Sequence, residues 1–267
     1  MKVFRNNAEN LPSGEKMHFK VVRSDGGEYI QEEKVLSERD MEISVNGTPV
    51  ARLRCTPTAL TELVLGRLYT EQIIRSIDDV AHLFICGEGN IAEVRLKEKI
   101  AFQPYTGAEP TCCTGNLQLR QAEGTDGEIR GVPRFEEVAN PEPEMVFELA
   151  DHFLKDGELH RNTSGTHSCY IRFGDGRILG FEDIGRHNAL DKAVGAMLQE
   201  GCAPEECMLF TTGRVPMDMV QKAVAARIPV LISKSVPTAE AIRMAERYRL
   251  LLIVRAWPDS YEIPCGG

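Results

Sequence analysis

The sequence predicts an α/β protein, and three observations support that fold class. Through roughly the last 100 residues, short apolar runs alternate with helical patterns, which is typical of a largely parallel sheet covered by helices on both faces. The first third shows the alternating apolar and polar positions of strands, with one helical segment. The chain of 267 residues is also long enough for two domains. We place these at residues 1–108, a smaller β-rich domain with one helix, and residues 109–267, an α/β domain.

The first half of the chain is marked by its turn residues. An Asn-Gly pair divides residues 42–53 into two alternating runs, which predicts a hairpin because both turn positions favour positive φ. Residues 56–74 have apolar positions at helical spacing, and Pro57 is placed for the first turn of that helix. Residues 81–96 indicate two strands around a glycine-rich turn.

A loop is predicted at residues 104–131, which lack periodicity and are rich in Gly, Thr and Glu. This loop contains Cys112 and Cys113. Because adjacent cysteines are poorly suited to a structural disulfide, their position indicates a chemical role. A helix is expected from Asn140-Pro141 onward, since apolar residues then recur on one face.

The second half alternates strands with helices. A hairpin over residues 167–183 turns at a Gly-Asp-Gly sequence. An amphipathic helix follows over residues 186–198 and is ended by Gly201. The remaining elements are predicted at residues 207–212 (strand), 217–228 (helix), 229–233 (strand), 238–248 (helix) and 250–254 (strand).

Composition narrows the class of function. The net charge of −9 argues against general affinity for nucleic acid or for an anionic membrane. Residues 1–14 contain no apolar segment of a secretory signal, and the longest apolar run, residues 250–254, is far too short for a membrane span. We therefore expect a cytoplasmic protein that binds neither nucleic acid nor membrane, with its eight cysteines reduced.

A phosphate-binding pocket is predicted where the strands end. In α/β sheets, ligands collect beyond the carboxyl ends of the strands, and helix N-termini with neighbouring Arg or Lys bind phosphates. Here the strands end in polar, cationic or glycine residues, and residues 207–235 hold four basic residues and one acidic residue. The alternative is ordinary capping and surface ion pairing. The residues that we expect to line the pocket are His167, Arg186, His187, Arg214 and Lys234.

Several segments resemble a known family. Residues 182–195 read EDIGRHNALDKAVG, and residues 212–246 read TGRVPMDMVQKAVAARIPVLISKSVPTAEAIRMAE. With residues 164–168 (SGTHS) and 42–74, they are similar to the formate dehydrogenase accessory protein family, FdhD. The resemblance implies a cytidine-deaminase-like, three-layer fold for the C-terminal domain.

The same resemblance implies a role in sulfur transfer. In that family a cysteine takes sulfane sulfur as a persulfide from a cysteine desulfurase. The sulfur passes to the molybdenum cofactor in its bis-guanine-dinucleotide form, which is bound as a substrate, before insertion into formate dehydrogenase. No permanently bound metal is implied, and a homodimer is left open.

The resemblance directs the sulfur carrier to the cysteine pair. Family members commonly have Cys-x-x-Cys in this loop, but aligning Cys112 with the first cysteine puts Gly115 at the second. Cys112 is therefore the first choice for the persulfide carrier and Cys113 the close alternative, and either could resolve the other. A working thiol must ionise, and the local sequence supplies no cation, so activation is expected from tertiary neighbours.

The C-terminal cofactor contacts that the resemblance implies fall on Val254, Arg255, Ala256 and Trp257. Arg255 would pair with phosphate, and Trp257 would stack on a base.

Two other functions compete with sulfur transfer. A non-catalytic chaperone would bind and deliver the cofactor without carrying sulfur, and the broken Cys-x-x-Cys spacing favours it. A zinc-dependent deaminase would need His-x-Glu or Cys-x-Glu together with Pro-Cys-x-x-Cys. The adjacent cysteines lack that spacing, and His167 is followed by Ser168-Cys169.

Overall fold

The protein is described by a computed structural model that covers residues 3–98, 129, 132–155 and 157–264. Cys112 and Cys113, with the domain boundary predicted after residue 108, lie outside these residues. No helix in the described ranges is long and apolar enough to cross a membrane.

The described residues form thirteen strands and six α-helices. The strands are β1 (Val3–Asn6), β2 (Gly14–Val22), β3 (Glu28–Leu36), β4 (Arg39–Val45), β5 (Thr48–Cys55), β6 (Val80–Ile85), β7 (Ile91–Leu96), β8 (His167–Arg172), β9 (Ile178–Asp183), β10 (Met208–Thr211), β11 (Val230–Ser233), β12 (Leu251–Trp257) and β13 (Ser260–Glu262). The helices are α1 (Leu60–Thr70), α2 (Pro143–Lys155), α3 (Glu158–Thr163), α4 (Arg186–Glu200), α5 (Met217–Ala225) and α6 (Ala239–Tyr248).

A five-stranded sheet in the order β1-β6-β7-β4-β5 forms the N-terminal part. Its β4–β5 hairpin turns through Asn46 and Gly47, whose φ angles are 52° and 82°. The predicted hairpin is therefore confirmed, since positive φ at both turn positions is what an Asn-Gly pair provides. The two strands predicted around the glycine-rich turn are β6 and β7.

Helix α1 begins later than the sequence predicts. Its first residue is Leu60, so Pro57 lies ahead of the helix and the expectation that it occupies the first turn is wrong. The physical reason is a tertiary contact. The backbone N–H of Thr56 donates to Asp183 at 3.1 Å, and its carbonyl accepts from Lys192 at 3.2 Å, which holds this segment outside the helix.

The second sheet has six strands in the order β13-β12-β11-β10-β8-β9. Only β10, β11 and β12 pair in parallel; β8, β9 and β13 are antiparallel to their neighbours. The sheet is therefore mixed, and the expectation of a largely parallel sheet is wrong because the β8–β9 hairpin joins the edge of β10. The predicted alternation of strands and helices after this hairpin is confirmed by β10, α5, β11, α6 and β12, and α4 ends at Gly201 as expected.

Helices cover both faces of this sheet, as predicted. Alternate strand residues point to opposite faces. Leu209, Leu231 and Leu252 pack in the core with α4, α5 and α6, whereas Phe210 and Ile232 pack against α2. Helix α2 begins at Pro143, slightly after the predicted Asn140-Pro141 start.

The two sheets are linked by the crossing of α1 with α4. A Cβ placed on Gly66 would lie 1.7 Å from the carbonyl oxygen of Asp191, and one placed on Gly195 would lie 1.9 Å from that of Glu62. The two backbones approach so closely that only glycine fits at either position. One hydrophobic core extends from the five-stranded sheet through α1 and α4 to the six-stranded sheet.

Strands β2 and β3 form a two-stranded ribbon that was not predicted from the sequence. Most of its side chains are exposed, including Met17, Phe19, Tyr29 and Ile30. Two ion pairs, Lys16–Glu32 and Lys20–Glu28, join the strands, each with an N–O distance of 2.7 Å.

Candidate functional site

The strand ends meet at one edge of the six-stranded sheet, which we call the carboxyl edge. His167 at the start of β8 pairs with Asp183 at the end of β9. Thr211 at the end of β10 pairs with Ser233 on β11, and Cys169 lies opposite Thr211 on its other side. These registers place the starts of α4 and α5 and the β11–α6 connection beside one another. The predicted gathering of strand ends is thus a property of the fold.

Arg186 crosses from the start of α4 to the β10–α5 loop. Its side chain packs on the backbone of Gly213, where a Cβ would lie 2.9 Å from Cβ and 3.0 Å from Cδ of Arg186. Arg186 is largely buried. Arg214, the next residue of the loop, is exposed. The two arginines therefore occupy different depths at the same edge.

His187 turns toward α5 and is buried. Its Nε2 lies 2.9 Å from Oδ2 of Asp218, in the first turn of α5. Asp218 was not among the residues that the sequence pointed to. Its spacing of four from Lys222 on one helix face was the available signal, because residues four apart on a helix lie on the same face.

His167 is half-buried near Arg186, His160 and His187. Burial, followed by the charge of Arg186 and the rings of His160 and His187, lowers the pKa of His167 below its ordinary value. His160 lies nearby because its Nδ1 is 2.7 Å from the carbonyl oxygen of Thr166. His167 is therefore neutral at pH 7, and a bound anion would favour its protonated form.

Lys234 lies on the α2 side of the carboxyl edge, between two aromatic rings. Its Nζ is 4.5 Å from the ring centre of Phe153 and 5.5 Å from that of Trp257. Its backbone N–H donates to the carbonyl of Thr211 at 3.1 Å, which ties it to the end of β10. Such cation–π contacts orient the ammonium group while leaving its charge available.

The end of β12 contains a bulge. Arg255 has a φ of 45°, and the strand register shifts between Val254 and Trp257. As a result Val254 faces the core shared with α4, α5 and α6, whereas Ala256 faces the core under α2. Both side chains are buried, so only their backbone groups could meet a ligand.

The two residues on either side of Ala256 are accessible. Trp257 is 40% exposed. Arg255 is exposed and pairs with Glu262, with Nη1 3.1 Å from Oε1. The backbone N–H of Arg255 donates to the carbonyl of Ser235 at 3.1 Å, which places it beside the β11–α6 connection.

The densest charge cluster of the sequence, residues 182–192, serves two purposes. Arg186 and His187 belong to the carboxyl edge, but Asp183 and Lys192 form a fully buried pair, with Nζ 2.7 Å from Oδ2. Asp183 also accepts hydrogen bonds from the backbone of Gly185 and the side chain of Asn188, both at 2.9 Å. Much of this motif is therefore structural.

A second buried cluster is centred on Asp191, the residue of α4 that precedes Lys192. Asp191 accepts from Lys222 of α5 at 2.8 and 2.9 Å and from the hydroxyl of Thr70 at 2.8 Å. Arg67 of α1 lies 3.6 Å from the same carboxylate. This cluster joins α1, α4 and α5.

Three of the five cysteines in the described residues are poor candidates for a sulfur carrier. Burial raises the pKa of Cys55 to about 12, raises that of Cys207 to about 12, and also raises that of Cys169. These thiols stay protonated, and the thiolate is the nucleophile. Cys86 and Cys202 are partly buried. Within the described ranges, no group of three or more His, Cys, Asp or Glu side chains is arranged to hold a metal ion.

The fold and site define a mixed α/β protein with a cation-rich edge where its sheet strands end. Residues 36–265 match the family model described as the FdhD/NarQ family. The chain belongs to this family.

Individual relatives agree with this assignment. The sulfur carrier protein FdhD of Brucella melitensis is 33% identical over 240 residues, which cover 87% of this chain and 88% of the relative. That of Bacillus licheniformis is 29% identical over 250 residues, covering 91% and 93%. A solved structure from Desulfotalea psychrophila, provisionally described as a formate dehydrogenase accessory protein, has a TM-score of 0.74 at 21% identity and covers 96% of this chain and 98% of its own. This last likeness shows the shared fold.

Proposed function

We propose that the chain is a sulfur carrier that receives persulfide sulfur from a cysteine desulfurase and passes it to the molybdenum cofactor before insertion into formate dehydrogenase. Relatives named sulfur carrier protein FdhD support the role. The observation that supports the proposal is that Arg186, Arg214 and Lys234 each follow a strand of the six-stranded sheet at its carboxyl edge, because such cations bind the pyrophosphates of a guanine dinucleotide. The cofactor is a bound substrate in this scheme.

The carrier residue is assigned to Cys112, with Cys113 as the alternative. Burial keeps Cys55, Cys169 and Cys207 protonated, so a carrier is best sought elsewhere in the chain. In loading, the carrier thiolate attacks the outer sulfur of the desulfurase persulfide. A new S–S bond forms, the old one breaks, and the desulfurase cysteine leaves as a thiolate.

Release of the sulfur as sulfide requires two electrons. A second thiolate supplies them when it attacks the inner sulfur of the persulfide, expels sulfide and closes a disulfide. Cys113 fits this resolving role by its position in the sequence, and a cellular thiol could then reopen the disulfide.

The ligand is expected to lie along the carboxyl edge. Arg214 and Lys234 would contact phosphate, and the exposed ring of Trp257 would stack on a guanine base. Arg255 would exchange its contact with Glu262 for phosphate. The proposal also includes a cytidine-deaminase-like arrangement of the C-terminal domain, a domain boundary after residue 108, a cytoplasmic location and a homodimer.

The test is mass spectrometry after incubation of the full chain with a cysteine desulfurase and cysteine. We expect one added sulfur atom on the peptide that contains Cys112 and Cys113, and its loss when both are replaced by Ala. Cys86→Ala, in the β6–β7 turn, is the matched control and should load normally. Wild-type protein that gains no sulfur on either loop cysteine would contradict sulfur transfer.

The competing functions give different results in the same preparations. A Cys112→Ala, Cys113→Ala double variant that still matures formate dehydrogenase would favour a chaperone that only binds and delivers the cofactor. Stoichiometric zinc in the purified protein would favour a deaminase-like hydrolase.

A further inference from the structure

A carboxylate lies within the cation cluster of the carboxyl edge. Oδ2 of Asp218 is 2.9 Å from Nε2 of His187, and the side chains are 28% and 5% exposed. Burial alone would raise the pKa of Asp218, but the contact with His187 and the charges of His187, Arg186 and Lys222 lower it below its ordinary value. Asp218 is therefore an anion at neutral pH in a site that attracts anions.

The Asp218 contact is the outer of two matched contacts between α4 and α5. One turn deeper, Asp191 of α4 pairs with Lys222 of α5 at 2.8 Å. The spacing is four residues on each helix, and the carboxylate lies on α5 in the outer contact and on α4 in the inner one. This pattern fixes the register of α5 against α4.

The same register determines where the edge cations lie. The stem of Arg186 fills the space beside Gly213, immediately before Arg214. A shift of the start of α5 would therefore move the loop that carries Arg214 relative to the start of α4, which carries Arg186.

We propose that Asp218 is a positioning residue for phosphate binding, which holds His187 and the start of α4 against the loop that carries Arg214. This inference rests on the proposed function. It predicts that removing a negative charge weakens the binding of an anionic ligand. A carboxylate that is merely near a bound phosphate repels it, so its neutralisation would tighten binding. A carboxylate that positions the cations produces the opposite result.

The experiment is a calorimetric titration of the full chain with guanosine diphosphate, which carries the base and pyrophosphate of the proposed ligand. We expect Asp218→Asn to weaken binding by about tenfold, the lower end of what loss of an orienting partner costs. The matched control is Asp175→Asn, which breaks the exposed Asp175–Arg177 pair in the β8–β9 turn at the opposite end of the sheet. It should bind within about twofold of wild type, because exposed pairs contribute little.

A double-mutant cycle tests whether Asp218 affects phosphate binding through His187. His187→Gln should weaken binding as much as Asp218→Asn, and the two together should cost no more than either alone, because they act through one contact. Additive losses would overturn the proposal, and so would an unchanged or tightened affinity in Asp218→Asn. If thermal unfolding shows that Asp218→Asn does not fold, Asp218→Glu replaces it, and a loss of more than about tenfold would then count against positioning by charge.

A readout without ligand separates this inference from the proposed function. Nitrogen NMR of the imidazole rings should show a changed His187 signal in Asp218→Asn, and an unchanged signal would overturn the positioning role. Wild-type protein that fails to bind guanosine diphosphate would instead overturn the proposed function. Wild-type binding with an unaffected Asp218→Asn variant would overturn only the role of Asp218.

Discussion

Replacing Lys192 by Met is expected to destabilise the protein strongly without changing the volume of the core. Lys192 and Asp183 are both fully buried, and their charged groups lie 2.7 Å apart. Removal of one partner of a buried pair costs about 3–5 kcal/mol, because the other charge stays in the interior without compensation. Asp183 would retain donors from Thr56, Gly185 and Asn188. We therefore expect the lower half of that range, a large part of a typical stability of about 5–15 kcal/mol.

The measurement is equilibrium unfolding in urea, followed by circular dichroism. Lys155→Met is the matched control, since Lys155 forms an exposed pair with Asp151 on α2 and should cost less than about 1 kcal/mol. Adding Asp183→Asn to Lys192→Met should recover part of the loss, because no charge is then left alone. A Lys192→Met variant within about 1 kcal/mol of wild type would refute the view that Asp183 depends on Lys192 for compensation of its buried charge.

Three further predictions follow from the fold and the edge. Gly66→Ala should lower the unfolding free energy by about 1–3 kcal/mol despite the better helix propensity of Ala, because the new Cβ would lie 1.7 Å from the carbonyl oxygen of Asp191. An unchanged midpoint of urea unfolding would contradict the close crossing of α1 and α4. The folded-state pKa of His167 is depressed, so its contribution to stability is present above the unfolded pKa of about 6.5 and is lost as pH falls below it. Urea titrations at several pH values should therefore show that the unfolding free energy of His167→Gln falls less steeply at acid pH than that of wild type. Trp257 is the only tryptophan of the chain, so guanosine diphosphate should quench the intrinsic fluorescence, and Trp257→Leu should weaken binding by about 1–3 kcal/mol in calorimetry; a titration without quenching would place the base elsewhere.

Local signals in the sequence predicted the elements that are bounded by characteristic turn or capping residues. The Asn-Gly turn, the glycine at the end of α4 and the alternation after residue 183 each depend on a few neighbouring residues, and all three are confirmed. The placement of strand neighbours depends on tertiary packing instead. That is why the sequence did not reveal that β8 would lie antiparallel to β10 within one sheet, nor that β2 and β3 would form a separate ribbon.

The candidate site shows the same division. The rule that strand ends meet at one edge places Arg186, Arg214 and Lys234 after neighbouring strands of one sheet, and their joint role in a site stays a prediction. Sequence alone could not separate charges that line a site from charges that hold the fold. Asp183 and Lys192 share one motif with Arg186, yet they point into the interior because Thr56, a residue distant along the chain, supplies their other partners. Asp218 was overlooked because a single acidic residue on a helix is ordinarily a solvated one.

The protonated state of the interior thiols has a consequence for how this protein could handle labile sulfur. Sulfane sulfur migrates between thiolates, so an additional ionised cysteine could accept sulfur from the carrier and change the number of sulfur atoms bound per chain. Cys55, Cys169 and Cys207 take no part in that exchange, because hydrocarbon packing keeps their protons on. The fold thus removes three of the chain's eight cysteines from the positions that could accept sulfur.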